Sequence, residues 1–175
     1  MCLFSRFFYP DMYVRSIYSI PYDKLAKRGI NTLIFDIDNT LVGYDTPEPS
    51  ESVLALFKQL QADGFTIALL SNNDTNRVEL FNKGLGFVAL ADAKKPRLIG
   101  LHQVLDQLGV TGDQAAMIGD QVFTDVWVGR ANNMLTILTK PVENRDTFGV
   151  FLKRGIERVI VRSFVRKAKA GREPF

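Results

Sequence analysis

Five short apolar runs, each separated from the next by a segment long enough for a helix, constrain the fold of this chain more than any other feature. The first, Thr32-Leu33-Ile34-Phe35, is rich in strand formers and stops abruptly at Asp36. A polar loop through Pro47 and Pro49 follows, and Ser50 is placed to cap a helix whose Val53, Leu54, Phe57 and Leu60 recur at helical spacing up to Gly64. The alternation predicts further strands over 65–70, 87–90, 115–118 and 134–138, with helices near 74–82, 96–108 and 123–131. Strands joined by helix-sized connections require crossovers, so the expected architecture is α/β: a Rossmann-like, doubly wound parallel sheet with helices on both faces. The 175 residues, 46% of them hydrophobic, suit one domain over 1–175. Its core spans about 30–140, between an aromatic segment over 1–29 and a basic segment over 141–175.

In such sheets ligands bind beyond the carboxyl ends of the strands, and four of those positions carry suitable chemistry. Behind the first strand, Asp36-Ile37-Asp38-Asn39-Thr40 offers two carboxylates that can serve one reaction centre. One can attack phosphorus, while the other, protonated, gives its proton to the departing oxygen and then activates water. An isolated Asp-x-Asp is more often a solvated turn; its place directly behind a buried strand reverses that preference. Behind the second strand, Ser71-Asn72-Asn73 brings a hydroxyl and backbone N–H groups to a helix start that can receive a phosphoryl oxygen, although Asn73 also suits an ordinary helix cap. Lys95, in Lys94-Lys95-Pro96, precedes a proline that suits a helix start, and its ammonium can neutralise phosphate charge. Gly119-Asp120 follows the fourth run, with Asp125 five residues later. Hard oxygen donors beside a phosphate suit Mg²⁺, with Asp120 as direct ligand and Asp125 either an outer partner or the counter-ion of Lys95. Each motif alone also reads as surface charge or helix capping; their common order does not.

Over residues 30–140 the sequence resembles the haloacid dehalogenase (HAD) phosphatases, subfamily IIIA. These carry DxDxT behind the first strand, Ser or Thr behind the second, then a Lys often followed by Pro, and a GDxxxxD-type acidic motif. The resemblance implies that Asp36 is a nucleophile forming an aspartyl-phosphate and that Asp38 is the general acid/base. Ser71, Asn72 and Lys95 would hold the phosphoryl group, Asn72 through its backbone. Mg²⁺ would be bound by the Asp36 carboxylate, the Asp38 main-chain carbonyl and Asp120, with Thr40 and Asp125 in support. A second carboxylate at Asp38 sets the chain apart from the family's ATPases and dehalogenases. Phe8-Tyr9-Pro10-Asp11, Ser16-Ile17, Leu41-Val42, Gly119-Asp120-Gln121 and Thr124-Asp125 are similar to the YqeG-like, phosphatidylglycerophosphatase-like branch. That branch implies a lipid substrate, phosphatidylglycerophosphate, losing its terminal phosphate.

Family members with mobile caps insert them after the first motif or between the second and third. Neither the interval from Thr40 to Ser50 nor that from Ser71 to Lys95 has room for one, so the expected enzyme is capless and its site open to a lipid headgroup or macromolecule. Cys2 is the single cysteine, and no apolar run reaches membrane-spanning length, which places the chain in the cytoplasm with peripheral contact at the inner membrane face. The net charge of +3 is unevenly spread: residues 153–172 carry +7, leaving −4 elsewhere, an asymmetry that suits an anionic surface. There Arg158, Arg162 and Arg166 would align on one helical face, although Val159-Ile160-Val161 equally favours a strand. Leu3, Phe4, Phe7, Phe8, Tyr9, Met12 and Tyr13 form an aromatic and apolar cluster, expected to cover the sheet or a second copy in a homo-oligomer rather than to touch a membrane. His102 is expected at the surface and Trp127 in packing. There are two alternatives: a capless phosphatase of phosphoproteins or soluble phosphosugars using the same residues, and a catalytically weak RNA- or polyanion-binding adaptor acting through 153–172. The second is weakened by the complete catalytic set and by the lack of stacking aromatics interleaved through the basic segment.

Overall fold

The computed structural model describes residues 7–143 and 148–169; Leu3, Phe4 and Arg172 of the segments singled out above lie outside the described residues. In chain order the strands are β1 (Met12–Val14), β2 (Thr32–Phe35), β3 (Thr66–Leu70), β4 (Val88–Leu90), β5 (Ala115–Gly119) and β6 (Leu135–Thr139). The α-helices are α1 (Tyr22–Lys27), α2 (Glu51–Ala62), α3 (Thr75–Asn82), α4 (Ile99–Leu108), α5 (Trp127–Ala131) and α6 (Phe148–Lys169). All six strands run parallel in the order β1-β6-β5-β2-β3-β4.

A central parallel strand is covered on both faces, so it can be apolar at every position. β2 meets that condition, being wholly buried and paired with β3 and β5, so that Phe35 lies level with Leu69 and Ile118. Because side chains alternate across a strand, Leu33 and Phe35 join Phe57 and Leu60 of α2 and Phe81 of α3 on one face. Ile34 points the other way, into a cluster with Leu101, Val104 and Leu105 of α4 and Val128 of α5. The chain winds outward from β2 to β3 and β4, then returns to β5 on the other side. The carboxyl ends of β2 and β5 thus flank the topological switch point, where such sheets bind ligands.

Several local boundaries differ from the sequence expectation. The helix placed near 96–108 begins only at Ile99, because Arg97 N–H bonds back to Lys94 O in a turn. The segment near 123–131 divides into a π-helical turn, Val122–Val126, and α5. In that turn Asp125 and Val126 N–H both reach Gln121 O, at 3.0 and 3.3 Å. Asp74, not Asn73, caps α3, its Oδ1 accepting from Arg77 N–H at 2.9 Å. Ser50 caps α2 as expected, through Val53 N–H.

The basic C-terminal segment is helix α6, the first of the two conformations its sequence allows. Ile160, Val161 and Phe164 pack it against Tyr9, Val122, Val126 and Leu138, which rewards a helical stripe over an extended run. The sequence pattern predicts neither β1 nor α1. β1 extends the sheet beside β6, and Phe8 and Tyr9 ahead of it cover the π-helical turn and α6, Tyr9 OH meeting Ser163 Oγ at 2.6 Å. Trp127 packs between Phe7 and Phe8, as expected, and His102 is exposed with Nε2 on Asn132 Oδ1.

Candidate active site

The four strand-end motifs converge at the switch point. Immediately beyond β2 the backbone turns sharply: Asn39 takes a left-handed φ of 66°, which asparagine tolerates, and Leu41 N–H bonds to Ile37 O at 2.9 Å. This turn brings Asp36, Asp38 and Thr40 to one place, all buried. Thr40 Oγ1 donates to Asp36 Oδ2 at 3.1 Å, while Lys95 Nζ donates to Asp36 Oδ1 at 2.6 Å, so both oxygens of Asp36 are oriented. The other two Lys95 protons go to Asp125 Oδ1 and Leu70 O, each at 2.8 Å. Asn72 holds the Lys95 backbone reciprocally, its Oδ1 accepting from Lys95 N–H at 2.7 Å and its Nδ2 donating to Lys95 O at 3.0 Å. The amide side chain of Asn72 is therefore committed to placing Lys95. Ser71, 1% exposed, accepts Asn73 N–H on its hydroxyl oxygen, leaving the hydroxyl proton for an incoming oxygen.

β5 delivers the remaining acids. Asp125 Oδ2 accepts from Gln121 N–H at 3.0 Å, and its carboxylate lies directly against Gly119, where a Cβ would collide with it. Asp36, Asp120 and Asp125 each offer an oxygen within 4.8 Å of the others, and all three residues are buried. Burial pushes the Asp36 carboxyl up to about 8; Lys95 opposes the rise, and Asp125 and Asp120 add to it. Burial works against the Lys95 ammonium, but Asp125 and Asp36 outweigh it and hold its pKa above the ordinary lysine value. Three hard carboxylates around one ammonium leave excess negative charge in a buried cluster, which is the donor set and charge balance that a divalent cation fits.

The open cavity over this centre measures about 220 Å³ and is lined by Asp36, Asp38, Ser71, Asn72, Asn73, Lys95, Gln121 and Thr124 and, from outside the motifs, Tyr44. Such a space suits a phosphoryl group better than a whole drug-sized ligand. Among the described residues no inserted domain covers it: the loop from β2 to α2 and the single helix between β3 and β4 are all that those intervals hold. Sequence reading missed Arg77, which grips Asp38, and the second use of Asn73, whose Nδ2 donates to Asp38 Oδ2 at 3.1 Å. Arg77 carries no motif; only its place in the first turn of the helix behind Ser71 points toward the site.

Comparison with known proteins gives the family to which this site belongs. The family model described as haloacid dehalogenase-like hydrolase matches residues 42–133, a span that includes Ser71, Lys95, Asp120 and Asp125. "Probable phosphatase YqeG" of Bacillus subtilis is 33% identical over 94% of this chain and 96% of its own length, reaching the first motif as well. The chain belongs to the haloacid dehalogenase-like hydrolase family, as one of its phosphatases, in the YqeG-like branch. "Phosphatidylglycerophosphate phosphatase 1, chloroplastic/mitochondrial" of Arabidopsis thaliana is 27% identical over 93% of the chain, which spans 49% of that relative's length. Among solved structures, the HAD phosphatase from Thermococcus onnurineus superposes with a TM-score of 0.55 at 14% identity, covering 68% of this chain and 90% of that one, a likeness of fold.

Proposed function

We propose that the protein hydrolyses phosphate monoesters through an aspartyl-phosphate on Asp36, with Mg²⁺ as its metal, and that its substrate is the phosphate monoester headgroup of an anionic lipid. The observation that carries the chemistry is the Asp36–Lys95–Asp125 arrangement: a buried carboxylate lining the cavity, held through one oxygen by an ammonium and through the other by a threonine hydroxyl. Asp36 attacks phosphorus; the bond from phosphorus to the ester oxygen breaks, and that oxygen leaves with the proton of Asp38 as an alcohol. Lys95 and the Ser71 hydroxyl bind phosphoryl oxygens as charge builds on them. Asp38 then takes a proton from water as it attacks phosphorus, releasing phosphate and restoring Asp36. Mg²⁺, held by the carboxylates of Asp36 and Asp120 and the main-chain carbonyl of Asp38, would supply positive charge against the phosphoryl oxygens when bound. Asp125 keeps Lys95 in place.

Three observations support a lipid headgroup. The cavity admits little more than the phosphoryl end of a substrate, no cap encloses the rest among the described residues, and the Arabidopsis relative is described as acting on such a lipid. No helix of the described residues is long and apolar enough to cross a membrane, so a lipid substrate would be met by peripheral contact. The test is Asp36→Asn in purified protein: turnover of every monoester should fall by about a thousandfold or more with the thermal melt retained, because an amide is a poor nucleophile. Acid-quenched wild type given ³²P-labelled substrate should carry label lost on hydroxylamine treatment. Wild-type turnover by Asp36→Asn would sink the mechanism. A panel of phosphatidylglycerophosphate in mixed micelles, soluble sugar phosphates and phosphopeptides tests the substrate; higher kcat/KM on either soluble class would displace the lipid.

A further inference from the structure

The carboxylate of Asp38 is oriented by a cation that belongs to none of the four strand-end motifs. Arg77 donates to Asp38 Oδ1 from Nε at 3.2 Å and from Nη2 at 3.0 Å, while Asn73 Nδ2 takes the other oxygen at 3.1 Å. The guanidinium is itself fixed from three sides. Its Nη1 donates to Pro47 O at 2.7 Å, its carbon lies 5.7 Å from the Phe81 ring centroid, and its backbone N–H is tied to the Asp74 cap. The side chains of Arg77 and Asp38 are each only 11% exposed. A pair so enclosed, fastened to both the β2–α2 loop and α3, is not a surface ion pair that solvent can exchange.

We propose that Arg77 is a positioning residue for proton transfer: with Asn73 it holds the Asp38 carboxyl against the cavity wall, at the approach from which a proton reaches the departing ester oxygen. This rests on the reading of Asp38 as general acid. Two donors on one oxygen and a third on Pro47 require a planar fork, which lysine lacks. Without the clamp Asp38 is free to take other rotamers, and a displacement of about 1 Å at a reacting group can cost about a hundredfold in rate. The loss falls only where a proton must be delivered. An alkyl phosphate cannot expel its alkoxide unprotonated, whereas p-nitrophenolate leaves without help.

The experiment compares kcat/KM on p-nitrophenyl phosphate and on glycerol phosphate, because kcat/KM reports only the steps through departure of the leaving group. Arg77→Ala should lose about 10- to 100-fold on glycerol phosphate and under about 3-fold on the nitrophenyl ester. Arg77→Lys should recover little of this, and Asn73→Ala, which leaves the Pro47 tie intact, should show the same ester-dependent loss in smaller measure. In an Asp38→Asn background Arg77→Ala should add no further discrimination between the esters. Equal losses on both esters in Arg77→Ala and Asn73→Ala would overturn the proposal and leave Arg77 a structural tie. If Asp38→Asn itself loses both esters equally in kcat/KM, Asp38 is not the proton donor; that result fells the reading of Asp38 first and the role of Arg77 with it.

Discussion

Lys95 is one cation shared by two buried carboxylates, with a third carboxylate beside them, so the protonation of Asp36 and the binding of metal are linked. Its carboxyl, pushed up to about 8 chiefly by burial, binds a proton in the folded, metal-free protein that it would release near 3.8 when unfolded. A folded-state pKa raised above the unfolded one contributes stability that is complete below about 4 and lost as pH climbs toward 8. With chelator present, wild-type Tm should therefore fall between pH 6 and pH 9 relative to Asp36→Asn, which has no such proton to lose. Mg²⁺ should raise the wild-type Tm most at the upper end of that range, where it no longer competes with the proton. Parallel melting curves for the two proteins across that range would contradict this coupling. Asp36, Ser71, Lys95, Asp120 and Asp125 could be picked out of the sequence because each closes, or closely follows, an apolar run. Arg77 and the second use of Asn73 could not, since a helix expected near 74–82 does not say that its start lies over Asp38, a contact made across 35 to 39 residues of chain.

Strand ends and helix starts position these groups, and β5 shows how tightly. Gly119 closes the strand with the Asp125 carboxylate lying across its Cα, so a Cβ there has no room, and Asp125 is already tied to Lys95 and Gln121. Gly119→Ala should destabilise the protein by about 1–3 kcal/mol through overpacking and, by displacing Asp125, loosen Lys95 from Asp36. Its thermal melt should drop and its Mg²⁺ requirement for turnover rise together; an unchanged Mg²⁺ titration would mean that Asp125 does not govern the metal centre. The five strands from β2 to β6 were readable because each is a short continuous apolar run: β2 and β5 are wholly buried, β3 and β6 are buried after their first residue, and β4, at the sheet edge, is half-buried. β1 was not, because three residues of which only Met12 is buried give no periodicity to count, and its pairing with β6 is made 125 residues along the chain. The π-helical turn at Val122–Val126 was equally hidden: it widens the helix to return Asp125 to Gln121, a demand of the site that local propensity does not carry.

Across the whole molecule, charge and helix geometry meet on α6. Glu157, Ile160 and Phe164 turn inward, where Glu157 Oε1 accepts Phe123 N–H at 3.0 Å beside the π-helical turn. At 100° per residue Arg158, Arg162 and Arg166 fall opposite that stripe, and all three are exposed, with Val159 64% exposed on the same side. A basic outward face carrying an apolar residue suits the interface of an anionic bilayer, where each arginine near the surface contributes about 1 kcal/mol. Because that attraction is screened, binding to phosphatidylglycerol-containing vesicles should weaken as salt rises past about 0.15 M, and neutral vesicles should bind less. Replacing the three arginines with Gln removes up to about 3 kcal/mol of attraction, on the order of a hundredfold in partitioning, without touching the inward stripe. In a vesicle sedimentation assay the triple variant should stay in the supernatant. It should lose turnover of a vesicle-borne phosphate monoester and keep wild-type turnover of p-nitrophenyl phosphate, since none of the three residues reaches the cavity. Equal sedimentation of variant and wild type at low salt, with matching thermal melts, would remove this face from membrane recruitment. The chemistry at Asp36 would stand, because the cavity and the α6 face share no residue.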